Sequence, residues 1–194
     1  MGYDMFEGEK VRLRGVRADD WESFTRWDLD SDAGRFGWQV MPPKGEEAAK
    51  EFARAESAKQ PDPANQRFII ETLEGEAAGS LNYRADLRRF GFEYGISLAR
   101  EHWGSGYAED ALRILFRYLF GELRLHKAQA YVYGFNQRSL SMHRKFGMTH
   151  EGVLREAQFT AGRFWDIHIF GMTADEFFAR YGASWGEPLE TVAD

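Results

Sequence analysis

The 194-residue chain contains no cysteine. That removes disulfides, thiolate metal sites and a covalent cysteinyl-acyl mechanism. An excess of basic residues is missing too: 25 Lys and Arg stand against 31 Asp and Glu, a formal net charge of -6. This argues against a nucleic-acid binder working through a basic face. No apolar run approaches the roughly 18 residues needed to span a bilayer. Met1 to Lys10 is polar and acidic and lacks the pattern of a signal peptide. The five histidines, His102, His126, His143, His150 and His168, show no metal-ligand spacing such as H-E-x-x-H. Internal repeats and low-complexity segments are absent as well. These absences leave a soluble protein, expected in the cytoplasm, with no metal, membrane or nucleic acid to serve. Its length suits one domain with its own core, read as residues 1–182, followed by a loose tail over 183–194.

The informative stretch runs from Leu98 to Leu112, Leu-Ala-Arg-Glu-His-Trp-Gly-Ser-Gly-Tyr-Ala-Glu-Asp-Ala-Leu. An apolar strand pattern leads up to it, and an amphipathic helix starts near Tyr107. Two glycines one residue apart, Gly104 and Gly106, let the backbone turn tightly and aim successive N–H groups into one concavity. The helix behind them adds unpaired N–H groups and the positive end of its dipole. Together these make a site for a phosphate or pyrophosphate; the alternative is a plain strand-to-helix turn. A dinucleotide fold asks for a third glycine or alanine three residues after the second, where Glu109 stands, and for an acidic residue near His126. A P-loop asks for Gly-Lys-Ser/Thr, which does not follow.

Elsewhere the patterning reads simply. Lys10–Arg17 is a half-buried strand. Asp19 and Asp20 open a helix through Trp27, with Trp21 and Phe24 on its core face. Asp30–Lys44 reads as irregular, its Phe36, Trp38 and Met41 either lining a pocket or covering the core. Gly45–Lys59 is helical. Strands 67–73, 77–85 and 89–98 form an antiparallel meander. In the last of these, Phe90, Phe92, Tyr94, Ile96 and Leu98 share one face. Gly91, Glu93, Gly95 and Ser97 share the other, a small face with one charge against which something could lie. The helix from Tyr107 carries Ala108, Ala111, Leu112, Leu115, Phe116 and Leu119 on one stripe. A strand over 127–134 completes a crossover unit. Helix 137–146 stops at Gly147, a hairpin spans 148–172, and a short helix covers 174–181.

This order of elements, with a glycine turn after the fourth strand, resembles the GNAT superfamily of acetyl-CoA-dependent N-acetyltransferases over roughly Lys10 to Met172. Trp103-Gly104-Ser105-Gly106-Tyr107-Ala108 is similar to the Trp-Gly-Lys-Gly-Tyr-Ala turn of the branch that includes the ribosomal-protein N-terminal acetyltransferases. Asn136 through Met148 looks like the family's Asn-x-x-Ser…Tyr-x-Lys-x-Gly-Phe segment. Glu151–Glu156 with Gly162–Asp166 resembles that branch's closing hairpin. The resemblance implies a single-domain α/β (α+β) fold with a mixed, mostly antiparallel, splayed sheet flanked by helices. It implies acetyl-CoA as co-substrate, with main-chain groups of Ile96, Ser97 and Leu98 on the pantetheine arm as in an added strand. Trp103, Gly104, Ser105, Gly106, Tyr107 and Ala108 would hold the pyrophosphate, and Asn136 and Ser139 would bond near the thioester. Asn136 also reads as a helix N-cap.

Catalytic roles follow with two departures. His143 stands where many relatives have a tyrosine that protonates the departing thiolate; imidazole can also donate a proton, or His143 is an exposed helix residue. Gln158 stands where some relatives have an acid and cannot act as a base. That leaves Glu93 as the best-placed base, or else a solvated strand residue. The acceptor is expected to be a primary amine, best a protein or peptide N-terminal α-amine. The alternatives are a small-molecule amine (polyamine, aminoglycoside or amino-acid-like) and a non-catalytic acyl-CoA-binding sensor. Many relatives are dimers, so the resemblance admits a homodimer, although no apolar stripe demands one.

Overall fold

The structure is a computed structural model that describes residues 4–37 and 39–182. The tail read over 183–194 and Trp38 lie outside the described residues. Seven strands form one sheet in the order β1-β2-β3-β4-β5-β7-β6. They are β1 (Val11–Arg14), β2 (Asn65–Thr72), β3 (Ala77–Asp86), β4 (Gly91–Leu98), β5 (Lys127–Tyr133), β6 (Thr149–Thr160) and β7 (Arg163–Thr173). Every neighbouring pair is antiparallel except β4 and β5, which run parallel. The helices are α1 (Trp21–Asp28), α2 (Ser31–Gly37), α3 (Glu46–Ser57), α4 (Tyr107–Arg117), α5 (Gln137–Phe146) and α6 (Ala174–Tyr181). Among the described residues no helix is long and apolar enough to cross a membrane.

The stripe on α4 becomes the core. Ala111, Leu112, Leu115, Phe116 and Leu119 are all fully buried, the last on a π-helical extension of α4 over Tyr118–Glu122. Phe116 meets Phe92, Tyr94, Phe120 and Phe146 at centroid distances of 5.2 to 5.4 Å, mostly edge-on. Such pairs add to area burial. A second, smaller cluster of Phe24, Ala53 and Ile69 packs α1 and α3 on the opposite face.

Two readings change. The stretch 30–44 contains α2, because Asp30 caps it: its Oδ1 accepts the N–H groups of Asp32 and Ala33, both at 3.1 Å. Arg100, seventy residues away, grips the same carboxylate at 2.7 and 2.8 Å, so a tertiary contact overrides Gly34 and Gly37. Phe90 leaves the strand face and sits in the β3–β4 turn with φ +52°, 56% exposed.

Candidate active site

The parallel contact between β4 and β5 lasts three residues: Gly91 with Lys127, Phe92 with Ala128, Glu93 with Gln129. Beyond Glu93 the strands part. β4 stays paired with β3 through Leu98 and β5 with β7 through Tyr133, so a wedge opens between two otherwise continuous halves of the sheet. The N–H of Ala99 donates to Ala78 O at 2.9 Å. Alternate residues of an antiparallel strand face the same neighbour; Ser97 and Gly95 therefore turn their main chain toward β3. Tyr94, Ile96 and Leu98 turn theirs into the wedge, where Leu98 O accepts from Trp103 Nε1 at 2.9 Å. Of the three strand residues expected on a cofactor arm, Ile96 and the N–H of Leu98 face the wedge, whereas Ser97 is turned toward β3.

The wedge ends at the glycine turn. Gly104 and Gly106 both hold left-handed backbone, φ +83° and +86°, and Gly106 is the N-cap of α4. Ser105 Oγ donates to His102 O at 2.7 Å and accepts from Tyr107 N at 3.3 Å. Among the described residues the N–H groups of Gly104, Gly106 and Ala108 meet no acceptor. A Cβ built on Gly104 would meet nothing within 4 Å, so the turn is open on that side. The Trp103 ring lies between the guanidinium groups of Arg100, at 4.7 Å, and Arg138, at 4.0 Å. Arg100 is neutralised by Asp30, whereas Arg138 has no carboxylate partner among the described residues. Unpaired amides, a helix N-terminus and a free cation fit a pyrophosphate.

Asn136 caps α5, its Oδ1 accepting the Ser139 N–H at 3.1 Å. Ser139 O in turn lies 2.7 Å from His143 Nδ1. His143 is 3% exposed, between Tyr94 at 6.0 Å and Phe170 at 5.5 Å. That overturns the alternative of an exposed helix residue. A carbonyl oxygen cannot donate, so the Nδ1 carries the proton and Nε2 holds a lone pair. Nε2 is buried and without a partner among the described residues. Burial pushes the imidazole below its usual value, outweighing the Ser139 carbonyl that pulls it up.

Glu93 is the last residue before the strands part. Its carboxylate faces the hydroxyl of Tyr131; burial first, and Glu93 second, push that phenol up. Beyond lies a cavity of about 380 Å³ lined by Gln39, Tyr131, Tyr133, Gln158 and Ile167. Phe36 on α2 reaches Trp103 at 6.1 Å and Phe135 at 6.0 Å, tying α2 to the glycine turn. Tyr131 and Tyr133 went unnoticed in the sequence because Ala128, Ala130 and Val132 defined the strand. The tyrosines are the alternate positions of that same pattern, which was the available signal.

A splayed β4–β5 wedge ending in a glycine nest is a distinctive arrangement, and sequence comparison agrees with it. The family model for the acetyltransferase (GNAT) domain matches residues 10–149. The chain belongs to the GNAT acetyltransferase family. This GNAT chain is 28% identical over 183 residues to YokL, an uncharacterised N-acetyltransferase derived from the SPbeta prophage in Bacillus subtilis (strain 168), covering 94% of this chain and 100% of that one. It is 31% identical over 111 residues to the spermidine N(1)-acetyltransferase of Vibrio cholerae, covering 55% of this chain and 62% of that protein. A Vibrio cholerae spermidine N-acetyltransferase solved in complex with CoA and spermine shares the fold, with a TM-score of 0.75 at 22% identity over 87% of this chain and 98% of that one. The protein is thus an acyltransferase enzyme of the GNAT fold, and its family uses acetyl-CoA.

Proposed function

We propose that this enzyme moves the acetyl group of acetyl-CoA to the α-amine of a singly charged acceptor, best a peptide or protein N-terminus. The observation that carries the reading is the single free carboxylate at the vertex of the wedge. Asp28, Asp30 and Asp32, on the same side of the sheet, are paired with Lys44, Arg100 and Arg35. Glu93 faces the Tyr131 phenol and, among the described residues, makes no ion pair, its cross-strand neighbour Arg84 included. One ammonium fits there, and the amides of Gln39 and Gln158 suit the peptide group that would follow it. The likeness of Trp103–Ala108 and the closing hairpin to ribosomal-protein N-terminal acetyltransferases supports the same choice.

Acetyl-CoA supplies an activated acyl group and a thiolate leaving group of pKa about 8.5. Main-chain groups of Ile96 and Leu98 would align its arm in the wedge, and Gly104, Ser105, Gly106, Ala108 and Arg138 would hold its pyrophosphate. Asn136 and Ser139, already bonded to each other, would border the thioester end. Glu93 takes the proton that the acceptor ammonium must shed. Freeing an α-amine of pKa about 7.8 at pH 7 costs roughly 1 kcal/mol, against roughly 4 to 5 for a lysine-type amine near 10.4. A site with one modest base favours the former. Transfer is direct, since the chain has no cysteine to carry an acyl-enzyme. His143, with its Nε2 unprotonated, is a hydrogen-bond acceptor at neutral pH, and the acid expected of it is not available there.

A second reading rests on the spermidine acetyltransferases among the relatives: a polyamine acceptor. Thiol release measured with N-terminal peptides and with spermidine at pH 7.5 separates the two. A kcat/KM at least tenfold higher for the peptides is expected; the reverse order establishes the polyamine.

A further inference from the structure

Lys10 sits just before β1, far from the glycine turn in sequence and against it in space. Its Nζ donates to Ser105 O at 2.9 Å. The same Nζ lies 2.7 Å from where a Cβ on Gly106 would be, so it fills the rear of the turn. The carbonyl of Ser105 and the N–H of Gly106 belong to one planar trans peptide and point in opposite directions. Holding the oxygen to the rear therefore turns the Gly106 N–H to the front, into the concavity.

Lys10 is itself held in place. Asp110, buried in the first turn of α4, accepts the main-chain N–H groups of Glu9, Lys10 and Val11 at 3.3, 2.8 and 3.1 Å. The clamp fixes residues 9–11 to the helix whose N-terminus the turn forms. From there the Lys10 side chain reaches Ser105. The Ser105–Gly106 peptide is otherwise free to flip, because a flip changes ψ of Ser105 and φ of Gly106, and glycine accepts either sign of φ. Among the described residues no carboxylate pairs with Lys10, so its charge also adds to the positive field of the turn.

We propose that Lys10 is a positioning residue for the pyrophosphate of acetyl-CoA: it locks the Ser105–Gly106 peptide with its N–H toward the anion. The proposal rests on the glycine turn being the pyrophosphate site. The test compares two acyl donors, acetyl-CoA and S-acetyl-pantetheine, which lacks the pyrophosphate, in wild type, Lys10→Met and Lys10→Arg. Lys10→Met is expected to raise KM for acetyl-CoA about tenfold, the loss of roughly one charge-assisted hydrogen bond. Its kcat should stay within twofold and its KM for S-acetyl-pantetheine should not move. Lys10→Arg should recover most of the affinity. An unchanged KM for acetyl-CoA in Lys10→Met, or an equal rise for both donors, overturns the role of Lys10 alone. A wild-type enzyme that uses both donors with equal KM overturns the assignment of the turn and the proposal with it.

Discussion

Replacing His143 with phenylalanine tests the site at the point where the structure and the family's usual pattern diverge. The phenyl ring keeps the stack between Tyr94 and Phe170 and discards both ring nitrogens. The lost Nδ1 bond is made to Ser139 O, and an intramolecular hydrogen bond contributes about 1 kcal/mol net. Against that, the variant removes a buried Nε2 that has no partner among the described residues. Such an orphan costs about 1 to 3 kcal/mol. The sum favours a variant as stable as wild type or slightly more so at pH 7.5.

The pH dependence sharpens the test. Burial holds the folded-state pKa of His143 below the ordinary imidazole value of about 6.5, so the unfolded chain takes up the proton first as pH falls. Stability from this group is complete above about 6.5 and declines below it, by at most about 1.4 kcal/mol per pH unit. His143→Phe should therefore gain on wild type as the pH drops from 7 to 5 in urea titrations. In activity, even an ordinary imidazole is only roughly 3% protonated at pH 8, and burial lowers that share. The expected kcat of the variant at pH 8 is within about threefold of wild type, and the wild-type kcat should not fall tenfold per unit between pH 7 and 9. A loss of a hundredfold or more with unchanged thermal stability and unchanged acetyl-CoA affinity would refute this argument. It would return His143 to the role of general acid, whose contribution is about 10²–10⁴.

The other expectations follow the same geometry. Glu93→Gln should lower kcat/KM for the amine by about 10²-fold or more and leave acetyl-CoA affinity intact; an unaltered pH–rate profile would remove Glu93 from the chemistry. Gly104→Ala puts a methyl on the open side of the glycine turn at φ +83°. It should cost about 1 kcal/mol of stability and, by calorimetry, weaken acetyl-CoA binding far more than that strain implies. Asp110→Ala abandons three main-chain N–H groups at once, and denaturant unfolding should register a loss of about 3 kcal/mol. Asp20, bonded twice by Arg14 and by the Arg17 N–H, is pulled below its usual 3.8 by these partners in spite of its burial. Its contribution is complete above about pH 4 and fades below, so Asp20→Asn should flatten the acid limb of the stability curve.

The parts of this fold that were legible in sequence are those whose signal is local. Helix α5 begins and ends where Asn136 and Gly147 place it, because the cap and the left-handed stop act within a few residues. The glycine turn was legible for the same reason: only glycine adopts φ near +85° without strain. What stayed hidden depends on partners far along the chain. Helix α2 rests on Arg100 gripping Asp30, and the burial of His143 rests on Tyr94 and Phe170 closing over it. Lys10 looked like an ordinary polar residue flanking a strand, since its carbonyl partner lies 95 residues away. The cavity proposed for the acceptor was hidden in a different way. Its tyrosines occupy the positions of β5 that an alternating pattern assigns to the outside, and outside the wedge they would be surface residues. The vertex makes them a site: once β4 departs after Glu93, Tyr131 has open space where a neighbouring strand would otherwise lie. A variant that re-pairs the strands beyond Glu93 should therefore lose the proposed acceptor site and the proposed pantetheine channel together. The two are opposite sides of one break in the sheet.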